Sequence, residues 1–352
     1  MTTTFSLNVT RREESLIHCG DVRNLPDIPQ LKPVSVLPVL DAGAFAAHRP
    51  RIEAVTLRFG SEVLDPLILP GGEGVKDLAG FPALVTAALA RRPGRKTRVL
   101  IVGGGAVLDA GQFLAAVLLR GLESVVVPTT LLAQVDAGLG GKCGLDAGAT
   151  KNQIGVIRQP RLVLVDPAFL TSLSAAEIQS GLGEMCKMAL LEGGTLLESL
   201  RAHVVRGGGI PDADLLAAVL RAKARFVSED AFEGGRRIFL NLGHTIGHAL
   251  ESLALAAGVP LAHGAAIALG LRAETRAFNP GMAPLVDDLL DAAGLPRKAP
   301  AGLSWAALEE HLVHDKKVRD GVLRVPVLGS AGRAWIVIAT VDDCAAAAKT
   351  LA

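Results

Sequence analysis

Between residues 34 and 166, short unbroken apolar runs alternate with longer stretches in which apolar residues return every three or four positions. The runs 34-VSVLPVL-40, 53-EAVTLRF-59, 98-RVLIVGG-104, 123-ESVVVPTT-130 and 162-LVLVD-166 have strand length and are rich in Val, Ile and Leu. Runs without polar alternation are expected of strands buried on both faces of a parallel sheet. The stretches 77–92 and 106–121 carry helical periodicity instead. Strand alternating with helix predicts an α/β, doubly wound unit.

Past residue 168 the pattern changes. Ser174 and Glu177 stand at the offset of a capping box. Helices are predicted over 175–192, 212–228, 241–256, 263–278, 283–293 and 305–314, separated by Gly/Pro punctuation such as 206-RGGGIP-211. The runs 322–329 and 333–340 read as a small hairpin, and 343-DCAAAAKTLA-352 as helix. The expectation is an α/β unit over 1–168 followed by a mainly α-helical unit over 169–352. The crevice between them is the natural place for a site.

Composition narrows the function classes. A chain of 352 residues is long enough for two domains, and a formal charge of +1 gives no footprint for nucleic acid or an anionic membrane. No uncharged apolar run has transmembrane length, and MTTTFSLNVTRREE lacks the apolar core of a signal peptide. Cys19, Cys143, Cys186 and Cys344 are scattered, with no C-x-x-C pair. That argues against a disulfide framework and suits a reducing cytoplasm.

Several stretches carry candidate chemistry. In 99-VLIVGGGAVLDAGQF-113 a buried strand runs into Gly103, Gly104 and Gly105 and then a helix. Such a turn lets backbone approach a ligand and offers a helix N-terminus to a pyrophosphate, or it is simply a tight strand-to-helix connection. Asp109 either complements the helix dipole or contacts a ribose. Thr129 and Thr130 follow another buried strand, where hydroxyls commonly meet a nucleotide, and Glu73 and Lys76 lie in a loop. In 240-LNLGHTIGHALESLA-254, His244 and His248 are four residues apart, so they share one face of an apolar helix. His263 opens the next helix, and 181-GLGEMCKMALL-191 places Glu184 and Lys187 within another apolar helix. Two His plus one Glu would make an open zinc site; the alternative is histidines bonded to backbone or capping a helix. Lys223 falls on the apolar face of 215–227, which suggests an anionic ligand. Lys142, Lys151, Asn152, Arg237 and Asn241 collect around glycine-rich loops, as phosphate and carboxylate recognition requires, or as ordinary exposed loops would show.

Together GGGAVLDAG, VPTTLLAQVDAGLGGKCG, TKNQIG, GLGEMCK, EDAFEGGRRIFLNLGHTIGHALE and HDKKVRDG resemble the 3-dehydroquinate synthases, members of the sugar phosphate cyclases, in both order and spacing from about Asp41 to Gly329. The resemblance implies a Rossmann-like NAD-binding α/β domain followed by a helical domain, usually in a homodimer. It implies zinc, with cobalt as a substitute, held by Glu184, His244 and His263. For the sugar phosphate it implies contacts from Asp136, Lys142, Asn152, Lys187, Lys223, Arg237, Asn241 and His248, with Lys316 or Lys317. Arg120 would reach the phosphate of the neighbouring subunit's substrate. For NAD the matching positions are Asp41, Glu73, Lys76, Gly104, Gly105, Asp109, Thr129, Thr130 and Lys151, with Lys142 beside them. The implied reaction converts 3-deoxy-D-arabino-heptulosonate 7-phosphate to 3-dehydroquinate and phosphate, in the shikimate route to aromatic amino acids.

The chain departs from the pattern at several points. Ala265 stands where the family has the glutamate of H-G-E. Cys143 replaces a threonine, Gly144-Leu145-Asp146 replaces G-V-N, and the region before Asp41 does not resemble the family. These differences keep open a cyclase for another sugar phosphate, such as sedoheptulose 7-phosphate or an amino-sugar analogue. A metal-dependent polyol dehydrogenase and a non-catalytic paralogue are the remaining alternatives.

Overall fold

A computed structural model describes residues 13–148, 150–313 and 322–352. In chain order the first half contains β1 (Leu16–Cys19), β2 (Val34–Asp41), α1 (Ala42–Phe59), β3 (Gly60–Val63), β4 (Leu67–Leu69), α2 (Phe81–Ala90), β5 (Arg98–Gly103), α3 (Gly105–Val117), β6 (Glu123–Pro128), β7 (Lys142–Ala147), β8 (Thr150–Ile157) and β9 (Leu162–Val165). The second half contains α4 (Ala175–Glu192), α5 (Gly194–Val205), α6 (Ala213–Glu229), α7 (His244–Ala256), α8 (His263–Phe278), α9 (Ala283–Ala292), α10 (Leu308–Val313), β10 (Val322–Ser330), β11 (Arg333–Thr340) and α11 (Val341–Lys349).

Seven strands form one parallel sheet in the order β1-β9-β6-β5-β2-β3, with β4 also on β2. β3 pairs with the first half of β2 and β4 with the second half, so together they act as one broken edge strand. The central strands β5 and β6 are buried along most of their length, which explains their unbroken apolar sequence. The chain moves outward from β2 to β3 and β4, then returns to the other side of β2 to lay down β5. That reversal places a crevice at the carboxyl ends of β2 and β5, where ligands of such sheets bind. The fold is thus an α/β sheet followed by a mainly helical region, as the alternation implies. Among the described residues, no helix is long and apolar enough to cross a membrane.

Three expectations need correction. Residues 53–59 are not a strand but the end of α1, which kinks at His48. Ile52, Val55, Thr56 and Phe59 are its buried positions, spaced as a helical stripe. The β-branched residues mimic a strand only when that spacing is ignored. The glycine-rich segments carrying Lys142 and Asn152 are not loops but the antiparallel hairpin β7–β8. Its glycines and alanines dilute the alternation that marks a strand. α5 was not anticipated: it begins directly after the Gly193 that ends α4.

In the second half, α4, α7 and α8 meet with little between their backbones. A Cβ on Gly264 would lie 1.8 Å from the Ser180 carbonyl oxygen, and one on Gly183 would lie 2.4 Å from that of Gly264. A Cβ on Gly270 would lie 1.9 Å from the Gly243 oxygen. The capping box of Ser174 and Glu177 starts α4 as its spacing indicates. The N-terminus of α7 is held by a carboxylate: Gly243 and Ile246 donate their backbone N–H groups to Glu274, at 2.8 and 2.9 Å. Glu274 is itself buried within α8. The same helix carries fully buried Arg272, which pairs with Asp287 at 2.5 Å and Asp291 at 2.7 Å and so ties α8 to α9.

The packing gives a testable consequence. Overfilling a tight contact typically costs about 1–3 kcal/mol, and here the new methyl would meet backbone rather than a movable side chain. Gly264→Ala should therefore lower the melting temperature by several degrees, whereas Gly74→Ala, where a Cβ meets nothing within 4 Å, should not. Equal melting temperatures for the two variants in a thermal scan would remove the close-contact account.

Candidate active site

The three proposed metal ligands come from three helices. Glu184 Oε1 lies 3.4 Å from His244 Nε2 and 3.4 Å from His263 Nε2. The three ligand atoms lie within 4.8 Å of one another. Each histidine has its other nitrogen engaged. His244 Nδ1 sits 3.0 Å from the Leu242 carbonyl oxygen, and His263 Nδ1 sits 3.1 Å from Glu251 Oε2. Both acceptors call for N–H at Nδ1, so each ring, once neutral, would turn its Nε2 lone pair toward Glu184. Glu184 is fully buried, and neither carboxylate oxygen has a hydrogen bond of acceptable geometry. Its close partner is the buried Lys187, whose Nζ is 2.5 Å from Oε2 as an ion pair. A buried carboxylate with open lone pairs, facing two aligned imidazoles, fits a divalent cation.

The electrostatics follow from that geometry. Burial alone would raise the Glu184 carboxyl, but Lys187 and His263 outweigh it and hold it at about 2. Burial opposes a charge on His263, yet Glu184 and Glu251 lift its imidazole to about 10. An incoming cation would therefore displace a proton from that ring. His248 stands one turn beyond His244 on the exposed side of α7, its ring centroid 5.0 Å from that of His244 and 6.0 Å from that of His263.

A cationic cluster adjoins this triad. Lys223 is buried on the inner face of α6. Its ammonium donates to the Asp136 carbonyl oxygen at 2.5 Å and also contacts the Asp136 carboxylate. Burial lowers the Lys223 ammonium pKa, and Asp136 only partly offsets it; Glu184 and Lys187 also act on this pair. Asp136 is presented by a short π turn, 133–137, at the end of β6. Arg237 is buried and donates to the carbonyls of Ala231 at 2.9 Å and Gly140 at 3.0 Å. Lys142, at the start of β7, contacts the Glu233 carboxylate, which also lies 3.9 Å from Arg237 Nε. Asn241 is half-buried in the turn leading into α7.

The dinucleotide candidates gather at the crevice between β2 and β5. Asp41 ends β2, and its carboxylate accepts from the Ala44 N–H at 2.9 Å, so it caps α1. A Cβ on Gly103 would lie 3.0 Å from that of Asp41, and one on Gly104 would lie 3.2 Å from Thr130 Cγ2. Gly104 precedes α3 without any side-chain cap, so the first N–H groups of that helix, from Gly105 onward, remain available. Thr129 N–H donates to Gly103 O at 2.9 Å, and Thr130 Oγ1 accepts from Ala133 N–H at 3.2 Å. Lys76 is buried, 2.9 Å from Asp109, 3.8 Å from Glu73 and 4.0 Å from Asp146. Burial lifts the Asp109 carboxyl to about 6 against the pull of Lys76.

Not every candidate joins the cluster. Arg120 lies beyond the far end of α3, whose 13 residues span about 20 Å, and is exposed there with a φ of 68°. Lys316 and Lys317 fall outside the described residues, as do the side chains of Lys151 and Asn152 within β8. The sequence reading also passes over Glu251, Glu233 and Glu274. Glu251 carries a usable signal, since it follows His248 by three residues on the same helical face. Glu274 carries another, as a charge in an otherwise buried stretch of α8. Glu233 carries none, because only its loop brings it to Lys142.

Comparisons with known proteins identify the family and the fold. The family described as 3-dehydroquinate synthase N-terminal matches residues 66–180, and 3-dehydroquinate synthase C-terminal matches residues 181–318. The 3-dehydroquinate synthase of Rhodospirillum rubrum is 38% identical over 322 residues, covering 88% of this chain and 83% of its own. Among solved structures, 2-epi-5-epi-valiolone synthase from Streptomyces hygroscopicus, with NAD+ and Zn2+ bound, has a TM-score of 0.85 at 24% identity and covers 99% of each chain. A 2-deoxy-scyllo-inosose synthase complexed with carbaglucose-6-phosphate, NAD+ and Co2+ has a TM-score of 0.81 at 22% identity and covers 96% of each. The last two show a shared fold. By its sequence matches across both halves, the chain belongs to the 3-dehydroquinate synthase family.

Proposed function

We propose that the protein converts 3-deoxy-D-arabino-heptulosonate 7-phosphate to 3-dehydroquinate and phosphate. The observation that carries this reading is the placement of a metal-ligand triad beside a buried group of cations, through the Glu184–Lys187 pair. The sheet unit, residues 1–168, would hold NAD at the crevice of β2 and β5, through Asp41, Glu73, Lys76, Gly104, Gly105, Asp109, Thr129, Thr130 and Lys151. The helical unit, residues 169–352, would hold the metal and most of the substrate. When bound, NAD supplies a reversible hydride acceptor, and zinc or cobalt supplies Lewis acidity at the substrate oxygens.

The chain's own residues do the positioning. The substrate carries a phosphate and a carboxylate, and both need cations held at fixed separation. Lys142 and Arg237 share the Glu233 carboxylate, while Lys187 and Lys223 are buried near Glu184. Fixing both ends sets the reacting carbons relative to the nicotinamide and the metal, and that restriction is much of the catalytic task. Burial of Lys187, Lys223 and Arg237 strengthens their hold on an anion, because little water competes. His248, exposed beside the triad, is placed to meet the substrate and to accept or donate a proton there. Asn241 offers an amide alongside, and Asp136 orients Lys223. Lys316 is a further candidate contact, and Arg120 would serve a partner's site in a homodimer.

A second reading keeps the chemistry and changes the sugar. The fold shared with 2-epi-5-epi-valiolone synthase and the departures at Ala265 and Asp146 favour a test of sedoheptulose 7-phosphate. The sequence matches to 3-dehydroquinate synthases favour the first reading.

With NAD+ and zinc, the protein should release one phosphate per 3-deoxy-D-arabino-heptulosonate 7-phosphate, with 3-dehydroquinate identified by NMR. No release by protein shown to bind both cofactors would transfer the proposal to other sugar phosphates. His244→Ala should leave the folded chain without stoichiometric zinc in elemental analysis; full zinc content would remove the ligand assignment. Lys187→Met should cut turnover by about 100-fold or more, the scale of losing one well-placed charge at a reacting centre. Its NAD binding, followed by calorimetry, should stay near wild type, and undiminished turnover would take Lys187 out of the site.

A further inference from the structure

We propose that Glu251 is a positioning residue for the metal centre, acting through His263. The inference rests on reading Glu184, His244 and His263 as the ligands. His244, His248 and Glu251 occupy positions i, i+4 and i+7 of α7, so one stripe of this helix faces the start of α8. Along that stripe His244 turns to Glu184, while Glu251 reaches across to His263.

The two histidines are held by different means. His244 Nδ1 rests on the Leu242 carbonyl, a backbone group 3.0 Å away. Its side chain is 9% exposed. His263 is 23% exposed, and its Nδ1 rests on the Glu251 carboxylate at 3.1 Å. The more exposed ligand therefore depends on a side chain for its orientation. A neutral imidazole carries one N–H. When that proton sits at Nδ1 against Glu251, Nε2 is left to face Glu184 Oε1 at 3.4 Å. A carboxylate on the outer nitrogen also makes the inner one a stronger donor. This contact needs nothing from position 265, where the family's glutamate is an alanine. Ala265 therefore does not leave the His263 ring without an orienting partner.

Glu251 has a second conceivable role. His248, Glu251 and His263 also offer ligand atoms within 4.8 Å of one another, in an outer triad where Glu251 would bind the ion itself. His263 belongs to both triads, and filling both at once would require its ring to lose both protons. The Nδ1 contact with Glu251 favours the inner triad, with Glu251 outside it.

The test compares wild type, Glu251→Ala, Glu251→Gln and Glu184→Ala, each metal-depleted and still folded by circular dichroism. Zinc affinity is measured by competition with a chromophoric chelator, and the Co2+ absorption spectrum reports the ligand set. Glu251→Ala should bind zinc about 10–100-fold more weakly, the usual cost of losing such a partner. Glu251→Gln keeps an oxygen that accepts from Nδ1–H, so its affinity should return to within about fivefold of wild type, with the wild-type Co2+ spectrum. Unchanged affinity in Glu251→Ala would overturn the proposal. So would a Co2+ spectrum altered equally in the Gln and Ala variants, which would make Glu251 a ligand. Wild-type affinity in Glu184→Ala would instead remove the inner triad on which the proposal rests.

Discussion

Helix α8 touches both α4 and α7 backbone to backbone, and the candidate centre depends on those contacts. Each proposed ligand is the sequence neighbour of a glycine at one of these crossings: Glu184 follows Gly183, His244 follows Gly243, and His263 precedes Gly264. Short side chains such as these reach one point only if the helices carrying them come unusually close. Ordinary helix packing keeps axes about 8–10 Å apart, with side chains filling the gap. Glycine removes the filling, and three ligand atoms then fall within a single ion's reach. Glu274 completes the arrangement by taking two backbone N–H groups at the start of α7. A buried carboxylate there complements the helix dipole and fixes the turn from which His244 projects.

The sheet makes a different contribution. Its carboxyl-terminal edge presents backbone and short polar side chains rather than a metal-binding group. Gln134 Nε2 donates to the carbonyls of Pro128 at 3.2 Å and Asp166 at 2.8 Å, which pins the π turn to the ends of β6 and β9. That turn hands Asp136 to Lys223 on α6, so the two halves meet through an ion pair of a buried lysine and a half-buried aspartate. The hairpin β7–β8 is tied down in a comparable way. Leu78 N–H donates to the Asp146 carbonyl at 2.9 Å, and Lys76 stands between the Asp109 and Asp146 carboxylates. One buried lysine thus links the turn at 73–76, helix α3 and the hairpin that carries Lys142.

Much of this was legible before any coordinates. The alternation of apolar runs with helical periods gave the parallel sheet, because strands buried on both faces leave that mark. The stripe of His244 and His248, and a lysine on the apolar face of α6, mark the candidate site in the sequence, because burial of such groups is costly without a partner. The failures have physical causes as well. In 53–59 side-chain branching outweighed spacing, although Ile52, Val55, Thr56 and Phe59 are spaced as a helix. The hairpin escaped because its pairing rests on backbone hydrogen bonds rather than on side-chain alternation. Glu233 meets Lys142 across 91 positions of sequence, and no local pattern encodes such a meeting. Glu251 was legible in principle, but its role is set by a residue on another helix.

The charges of the site are balanced in a way that suits exchange. Lys187 is paired with Glu184, Lys223 with Asp136, Lys142 with Glu233 and Lys76 with Asp109. The Lys142–Glu233 pair is partly exposed, while the other three have a buried lysine; buried pairs contribute little net stability, because desolvation consumes most of their attraction. Breaking one without a replacement is expensive, since it strands a charge in a poorly solvating interior. The anionic substrate and divalent cation of the proposed function would supply replacements of both signs. A cation on Glu184 would replace the charge that Lys187 provides, and a phosphate or carboxylate would replace the one that Glu233 offers Lys142 and Arg237. Under the proposed function, each exchange would keep the charges of the site paired, so the anions lining it would hold its cations in place without sealing it against ligand.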